Sequence, residues 1–308
     1  MLHRLWLLAA LFAPAVAVAD AYDFSIHQLG NPYETCAGGP CVGYSPAANA
    51  NFRSFARRLG AGVTAANLMP PETLGHSAFA ITAEISGVGF INAAGDGAMT
   101  QAEFPTTAQF RNPLWLPSIH IRKGLPFSFE IGARAAWLEK SRMGVGTLEL
   151  KWALNEGFRY IPDIGVRAYV TKILNTRDFD VTTGGLDVGV GKQFALAGMV
   201  TLTPYLGWNL GFTGATSNNV DFDPTRTLQD SDSVQVPTPE RNFYVFNEVR
   251  AAENSHNRFY FGFRFIGGYF TFLAEFSYTL LGNFDDPLVG RVNAGSVLAL
   301  NGSIGFDF

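Results

Sequence analysis

Cysteine is almost missing from this 308-residue chain: Cys36 and Cys41 are its only two. Four residues separate them in Cys36-Ala-Gly-Gly-Pro-Cys41, which excludes a CxxC redox pair. The five histidines form no cluster that would supply zinc ligands. What remains is a local disulfide between Cys36 and Cys41, pinning a loop in an oxidising compartment. Charge is also scarce: 16% of residues are charged and the net charge is −4, so nucleic acid is not an expected partner. No glycine-rich phosphate loop precedes a helix, and no nucleophile elbow is present; Gly184-Gly185 belongs to a strand pattern. These absences point away from an enzyme, a metal centre and a cofactor. Beyond residue 19, no run approaches the about 20 apolar residues that a spanning helix needs.

The apolar run at the N-terminus reads as a secretory signal over residues 1–19. Arg4 is its basic start, Leu5 to Val18 its apolar stretch, and Ala17-Val18-Ala19 its cleavage site. An N-terminal membrane anchor is the competing reading; the shortness of the run and Pro14 argue against it. No cysteine sits at the cleavage point, which argues against a lipid-anchored chain.

Glycine, phenylalanine and tyrosine are plentiful instead, with 33, 27 and 10 copies. From His76 onward apolar and polar residues alternate with the period of a strand. The pattern predicts strands over about 76–88, 114–123, 127–138, 145–154, 163–173, 183–194, 199–212, 258–266, 269–280 and 295–308. Gly124-Leu125-Pro126 and Gly267-Gly268 read as tight turns. A soluble sandwich also alternates. Three features favour the membrane: strand lengths near those needed to cross a bilayer, apolar faces free of charge at their middles, and connections that alternate short and long.

The last strand carries the most specific signal. Leu298, Leu300, Ile304, Phe306 and Phe308 share one parity, while Ala299, Asn301, Ser303, Gly305 and Asp307 share the other. With Phe308 as its final aromatic, this resembles the closing strand of Gram-negative bacterial outer-membrane β-barrel proteins of the porin-like or small-barrel kind. The resemblance implies an all-β fold over residues 75–308: a transmembrane antiparallel up-and-down barrel of about ten strands, with both termini in the periplasm. It implies outer-membrane lipids, lipopolysaccharide and the barrel assembly machinery as partners, and Phe308 as the assembly signal at the membrane edge. Twelve strands would result if 242–252 paired with 231–237, although Pro237 and Pro239 oppose it.

Residues 20–74 then form an N-terminal periplasmic segment with one helix. Asn51 is its expected cap; Phe52, Phe55, Ala56, Leu59 and Val63 fall at helical spacing, and Arg53, Arg57 and Arg58 lie mostly opposite. This helix reads either as a plug or basic surface helix, or as a short helix packed beneath the barrel. The second is preferred, because a small barrel fills its interior with side chains.

Sorting charges by strand parity gives the candidate site. Arg122, Arg134, Lys151, Arg167 and Arg264 point inward, as do Glu84, Glu130, Glu149, Asp187 and Glu275, with His120 among them. Five charges of each sign are expected to pair across the lumen, since an isolated buried charge is very costly. The expected function is a narrow, porin-like passage for small or apolar solutes. The alternative is a structural or adhesive barrel whose loops meet lipopolysaccharide or a partner. A third reading follows the omptin surface proteases: His256 and Asp285-Asp286 fall near the outer rim, but no omptin Asp-x-His motif accompanies them, and solvated loop residues are the preferred reading. The long connection 213–257 is acidic, with Asp221, Asp223, Asp230, Asp232 and Glu240 against Arg226 between 214 and 240, and reads as a solvated loop rather than a calcium site.

Overall fold

The alternating segments become ten strands in the computed structural model, which describes residues 22–36, 39–64, 66–92, 99–100, 102–106, 110, 112–196, 200–222, 245–268 and 270–307. They are β1 (Phe79–Ile91), β2 (Leu114–Leu125), β3 (Phe129–Trp137), β4 (Gly144–Asn155), β5 (Asp163–Leu174), β6 (Phe179–Gly191), β7 (Val200–Ser217), β8 (Ser255–Gly267), β9 (Phe270–Leu280) and β10 (Ser296–Asp307). Each strand pairs antiparallel with the next. The sheet closes where β10 pairs β1, from Ser296 opposite Ile91 to Asp307 opposite Ala80. Closure leaves no sheet edge, which is what permits strands to cross a bilayer.

Burial follows parity. On β8, Phe259, Phe261, Phe263 and Phe265 are 40–62% exposed while His256, Arg258, Tyr260 and Arg264 are buried. Leu148, Leu206 and Leu300 stand outward at 61–63% exposure. So much exposed apolar side chain around a closed barrel marks a surface made for lipid. Among the described residues no helix is long and apolar enough to cross a membrane.

The strand ends joined by connections 92–113, 138–143, 175–178, 218–254 and 281–295 lie at one end of the barrel, called here the long-loop end. Connections 126–128, 156–162, 192–199 and 268–269 lie at the other, with Asp307. The first short turn sits later than its sequence suggests. Gly124 and Leu125 still pair with Glu130 and Phe129, and Pro126–Ser128 makes the turn. Phe127 and Ser128 take φ of 62° and 59°, leaving Phe127 88% exposed rather than in a strand. Val249 bridges Ala215 and Ala251–Glu253 is a short 3-10 helix, so the described part of 242–252 adds no barrel strand; 231–237 lies outside the described residues.

The N-terminal segment differs most from expectation. Its helix α1 (Ala48–Val63) begins after Ala47, not at Asn51, whose side chain donates to Leu29 O at 3.1 Å. It does not lie beneath the barrel but inside the long-loop end, with every residue from Phe52 to Val63 except Arg53 buried. Small residues make room: a Cβ on Gly60 would meet Thr213 of β7, and one on Gly62 would meet Phe90 of β1. Arg57 and Arg58 are buried rather than solvated. Arg58 Nε donates to Ala294 O at 2.8 Å, and Arg57 Nη2 to Ser255 O at 3.1 Å and to Leu281 O. Around the helix Phe24, Phe55, Phe104, Phe179 and Phe90 pack edge-on or tilted, and Phe52 stacks on Phe246 at 4.8 Å. The result is an aromatic cap over the long-loop end.

From Thr64 the chain leaves the helix and runs down the lumen to Gly75, emerging beside Gly124 at the short-turn end before entering β1. Tyr22 N bonds Lys140 O and Asp23 pairs with Arg142, so residue 22 and residue 307 lie at opposite ends of the barrel. The wall has to yield space for this passage. A Cβ on Gly165 would stand 2.6 Å from Pro71 O. Gly165→Val is therefore expected to destabilise the barrel by about 1–3 kcal/mol, the usual range for overpacking. The readout is a lower temperature at which the compact form is lost on detergent gels; an unchanged temperature would mean that the segment does not occupy this place.

Candidate functional site: a charged lumen with a threaded segment

All eleven candidate lumen residues are buried on inward positions. Most of them join one chain of contacts that follows the wall. Arg134 Nε meets Glu84 Oε2 at 2.6 Å, and Glu84 Oε1 meets His120 Nδ1 at 3.0 Å. His120 Nε2 meets Glu149 Oε1 at 2.8 Å, so the imidazole bridges two carboxylates. Glu149 Oε2 accepts from Arg167 Nη1 at 2.9 Å, and Arg167 grips Asp187 with Nη2 at 2.7 Å and Nε at 2.8 Å. Arg258 then reaches Asp187 at 3.7 Å. These pairs link strands that are adjacent or one place further apart, so the contacts run along the wall instead of crossing the lumen. The reason is the segment occupying the axis.

That segment engages the remaining charges. Glu275 is the acceptor for two successive backbone N–H groups, Asn67 at 3.2 Å and Leu68 at 3.0 Å. Leu68 has φ of 40°, which turns adjacent N–H groups to one side, as in backbone anion nests. Tyr205 and Asn301 also donate to Glu275, at 3.2 and 3.3 Å. Glu130 accepts from Leu74 N at 2.9 Å and pairs with Lys151 at 3.2 Å and Arg122 at 3.6 Å. Lys151 Nζ donates to Glu72 O at 2.9 Å, and Arg167 Nη1 to Ala66 O at 3.3 Å. Arg264 pairs with the Glu72 carboxylate. Thr73 N donates to Glu156 at 2.9 Å at the short-turn mouth.

Parity identified the wall charges but missed Glu72, Arg258 and Glu156. Arg258 shares the parity of Arg264, so its signal was present. Glu72 and Glu156 lie in irregular stretches without periodicity. What space is left is small: a cavity of about 30 Å³ lies between α1 and the wall, lined in part by Gly62, Glu84, Arg134 and Arg258. That is room for a water or two.

His256 is not a solvated rim residue. It is 2% exposed on the inner face of β8, packed where Gly211 leaves space. Asp285 and Asp286 stand on the separate hairpin 283–293, and no hydrogen bond or ion pair joins them to His256 among the described residues. Cys41 is disulfide-bonded, at the end of a two-stranded turn between Thr35–Cys36 and Gly39–Pro40. Tyr33, nearby, donates to Val245 O at 2.8 Å, and burial raises the pKa of its phenol. The signal over 1–19, Phe308, and Asp223, Arg226, Asp230, Asp232 and Glu240 of the acidic loop lie outside the described residues.

A closed antiparallel barrel, apolar outside and charged within, is the architecture of outer-membrane β-barrel proteins, and that is the class this fold defines. Solved structures similar to it include the outer membrane protease OmpT from Escherichia coli, at TM-score 0.37 and 9% identity over 75% of this chain and 97% of that one. Neisserial surface protein A matches at TM-score 0.31 and 10% identity, over 76% and 100%. The KdgM porin matches at 0.29 and 6%, over 74% and 99%. At these scores none of them lends this chain a role. No protein-family model matches the chain. No curated protein matches it either.

The wall contacts carry an energetic expectation. His120→Leu leaves Glu84 and Glu149 without their shared partner, and a buried group left without its hydrogen-bond partner costs about 1–3 kcal/mol. Urea unfolding from phospholipid vesicles, followed by tryptophan fluorescence, measures this. A loss below about 0.5 kcal/mol, the scale of an ordinary surface substitution, would show that the bridge is not formed.

Proposed function

We propose that this protein is an outer-membrane barrel closed at rest by its own N-terminal segment, acting through its long-loop face as a structural or adhesive element. One observation carries the reading: Thr64 and residues 66–75 lie along the lumen axis, with bonds to the wall at Thr64, Asn67, Leu68, Glu72 and Leu74. A standing narrow channel, the reading first suggested by the balanced inward charges, needs an axis free of protein. Outer-membrane lipids and lipopolysaccharide are the surroundings that fit the apolar exterior, and insertion by the barrel assembly machinery fits the closing strand. A gated passage is the second reading. It is favoured by the kind of contacts that hold the segment: side chains grip an extended backbone with no sheet pairing, so the grip can be exchanged.

Planar-bilayer recording of the refolded full-length protein tests this. The wild-type chain is expected to be electrically silent. The double variant Glu130→Ala/Glu275→Ala, which strips acceptors from Asn67, Leu68 and Leu74, tells the two readings apart: brief openings favour the gated passage, continued silence the permanently closed barrel. A steady wild-type conductance would overturn closure itself.

A further inference from the structure

We infer that the barrel carries its own N-terminal segment across the membrane, with α1 plugging the external end of the lumen and the part that precedes α1 displayed on the cell surface. The inference rests on the outer-membrane reading and goes beyond it, because it assigns a side of the membrane to each end of the segment.

The crossing is built from two sets of contacts. At the long-loop end, Tyr22 N bonds Lys140 O at 2.9 Å, Phe24 bridges Thr106, Asp23 accepts from Ser141 Oγ at 3.0 Å, and Tyr33 reaches Val245. Each of these partners lies in a connection between strands at that end. At the short-turn end, Thr73 bonds Glu156 and Leu74 bonds Glu130, and the chain then turns into β1 at Phe79. Between them the segment spans the height of the barrel.

Sidedness follows from the connections. Outer-membrane barrels turn tightly on the periplasmic side and carry their longer loops outside. Here the tight turns include 126–128 and 268–269, and the long connections include 92–113 and 218–254. The short-turn end is thus periplasmic and the capped end external. An N-terminal segment whose chain continues directly into β1 would be expected to stay on the side where β1 starts. This one does not, because the lumen supplies a polar path and the aromatic cap holds what emerges.

What is displayed is a definite surface. Val42 and Tyr44 are 40% and 39% exposed beside the disulfide-bonded Cys41. The helix behind them is anchored by Arg53, whose Nε donates to Asn254 at 2.7 Å and whose guanidinium lies 4.5 Å from the centre of the Phe284 ring. The displayed part is therefore fixed to the loops and not a loose tail.

The test uses the full-length protein in the outer membrane of intact Gram-negative cells. An epitope placed before Tyr22 is compared with the same epitope in the 156–162 turn. The first is expected to bind antibody on intact cells, to the same level as after permeabilisation; the second is expected to bind only after permeabilisation. Because an epitope can block assembly, the single-residue variants Pro46→Cys and Arg159→Cys are probed in parallel with a membrane-impermeant maleimide. Pro46→Cys is expected to label on intact cells and Arg159→Cys only on opened ones. Labelling of Pro46→Cys that requires permeabilisation overturns the inference, whatever Arg159→Cys does. Conductance does not enter this readout, so a leaky barrel with an exposed N-terminal segment would defeat the closure reading and leave this one standing.

Discussion

An extended chain inside a barrel has nowhere to send its backbone hydrogen bonds. The wall's own N–H and C=O groups are consumed in the closed sheet, and the filled lumen leaves room for little water. Buried backbone groups without partners cost too much to persist. The inward side chains resolve this. Glu275 and Glu130 accept N–H groups, and Lys151, Arg167 and Arg258 donate to carbonyls. The same charges hold one another along the wall. The balance of signs thus serves the threaded segment as well as the barrel, and it has no need to form a filter.

The lumen is accordingly divided. A helix satisfies its own backbone, so α1 can sit among apolar inward residues: Val88, Phe90, Phe179, Val181 and Val297 surround it at the long-loop half. Once the helix ends at Val63 the chain needs partners, and there the wall becomes charged. Thr64 marks the change. Its hydroxyl caps Gly60 O at 2.6 Å, and its carbonyl accepts from Arg258. The boundary between apolar and charged wall coincides with the boundary between helix and extended chain.

This division was partly written in the sequence. Strand parity is legible because lipid outside and a filled lumen inside impose opposite demands on neighbouring residues. It sorted Glu84 from Ile85 and Arg264 from Phe265 without any structure. The helix was legible from Phe52, Phe55 and Leu59. Its location was not, since periodicity says which face is apolar and not what covers it. A usable signal was nevertheless present. Val88 and Phe90 are apolar at inward positions, as are Phe179 and Val181, and such residues require an apolar occupant of the lumen. The stretch 64–75, with its prolines and lack of period, carries no such signal. Its place depends on partners more than a hundred residues away, such as Glu275 and Arg264.

The two sets of contacts are unequal in strength, and that decides what holds the segment. A single intramolecular hydrogen bond contributes about 0.5–1.5 kcal/mol net. Fully burying a phenylalanine contributes about 1.5–3 kcal/mol. The cap buries Phe24, Phe52, Phe55, Phe104 and Phe246 together, all of them 8% exposed or less. The far end of the segment is tied covalently to β1 only a few residues beyond Gly75. The segment is thus fastened at both ends, by the cap above and by the chain below. Losing one wall contact between those points frees one or two backbone groups while both fastenings persist. The wall charges therefore set the path that the chain takes through the lumen and hold it on that path, while the aromatic cap and the covalent link to β1 fix its two ends.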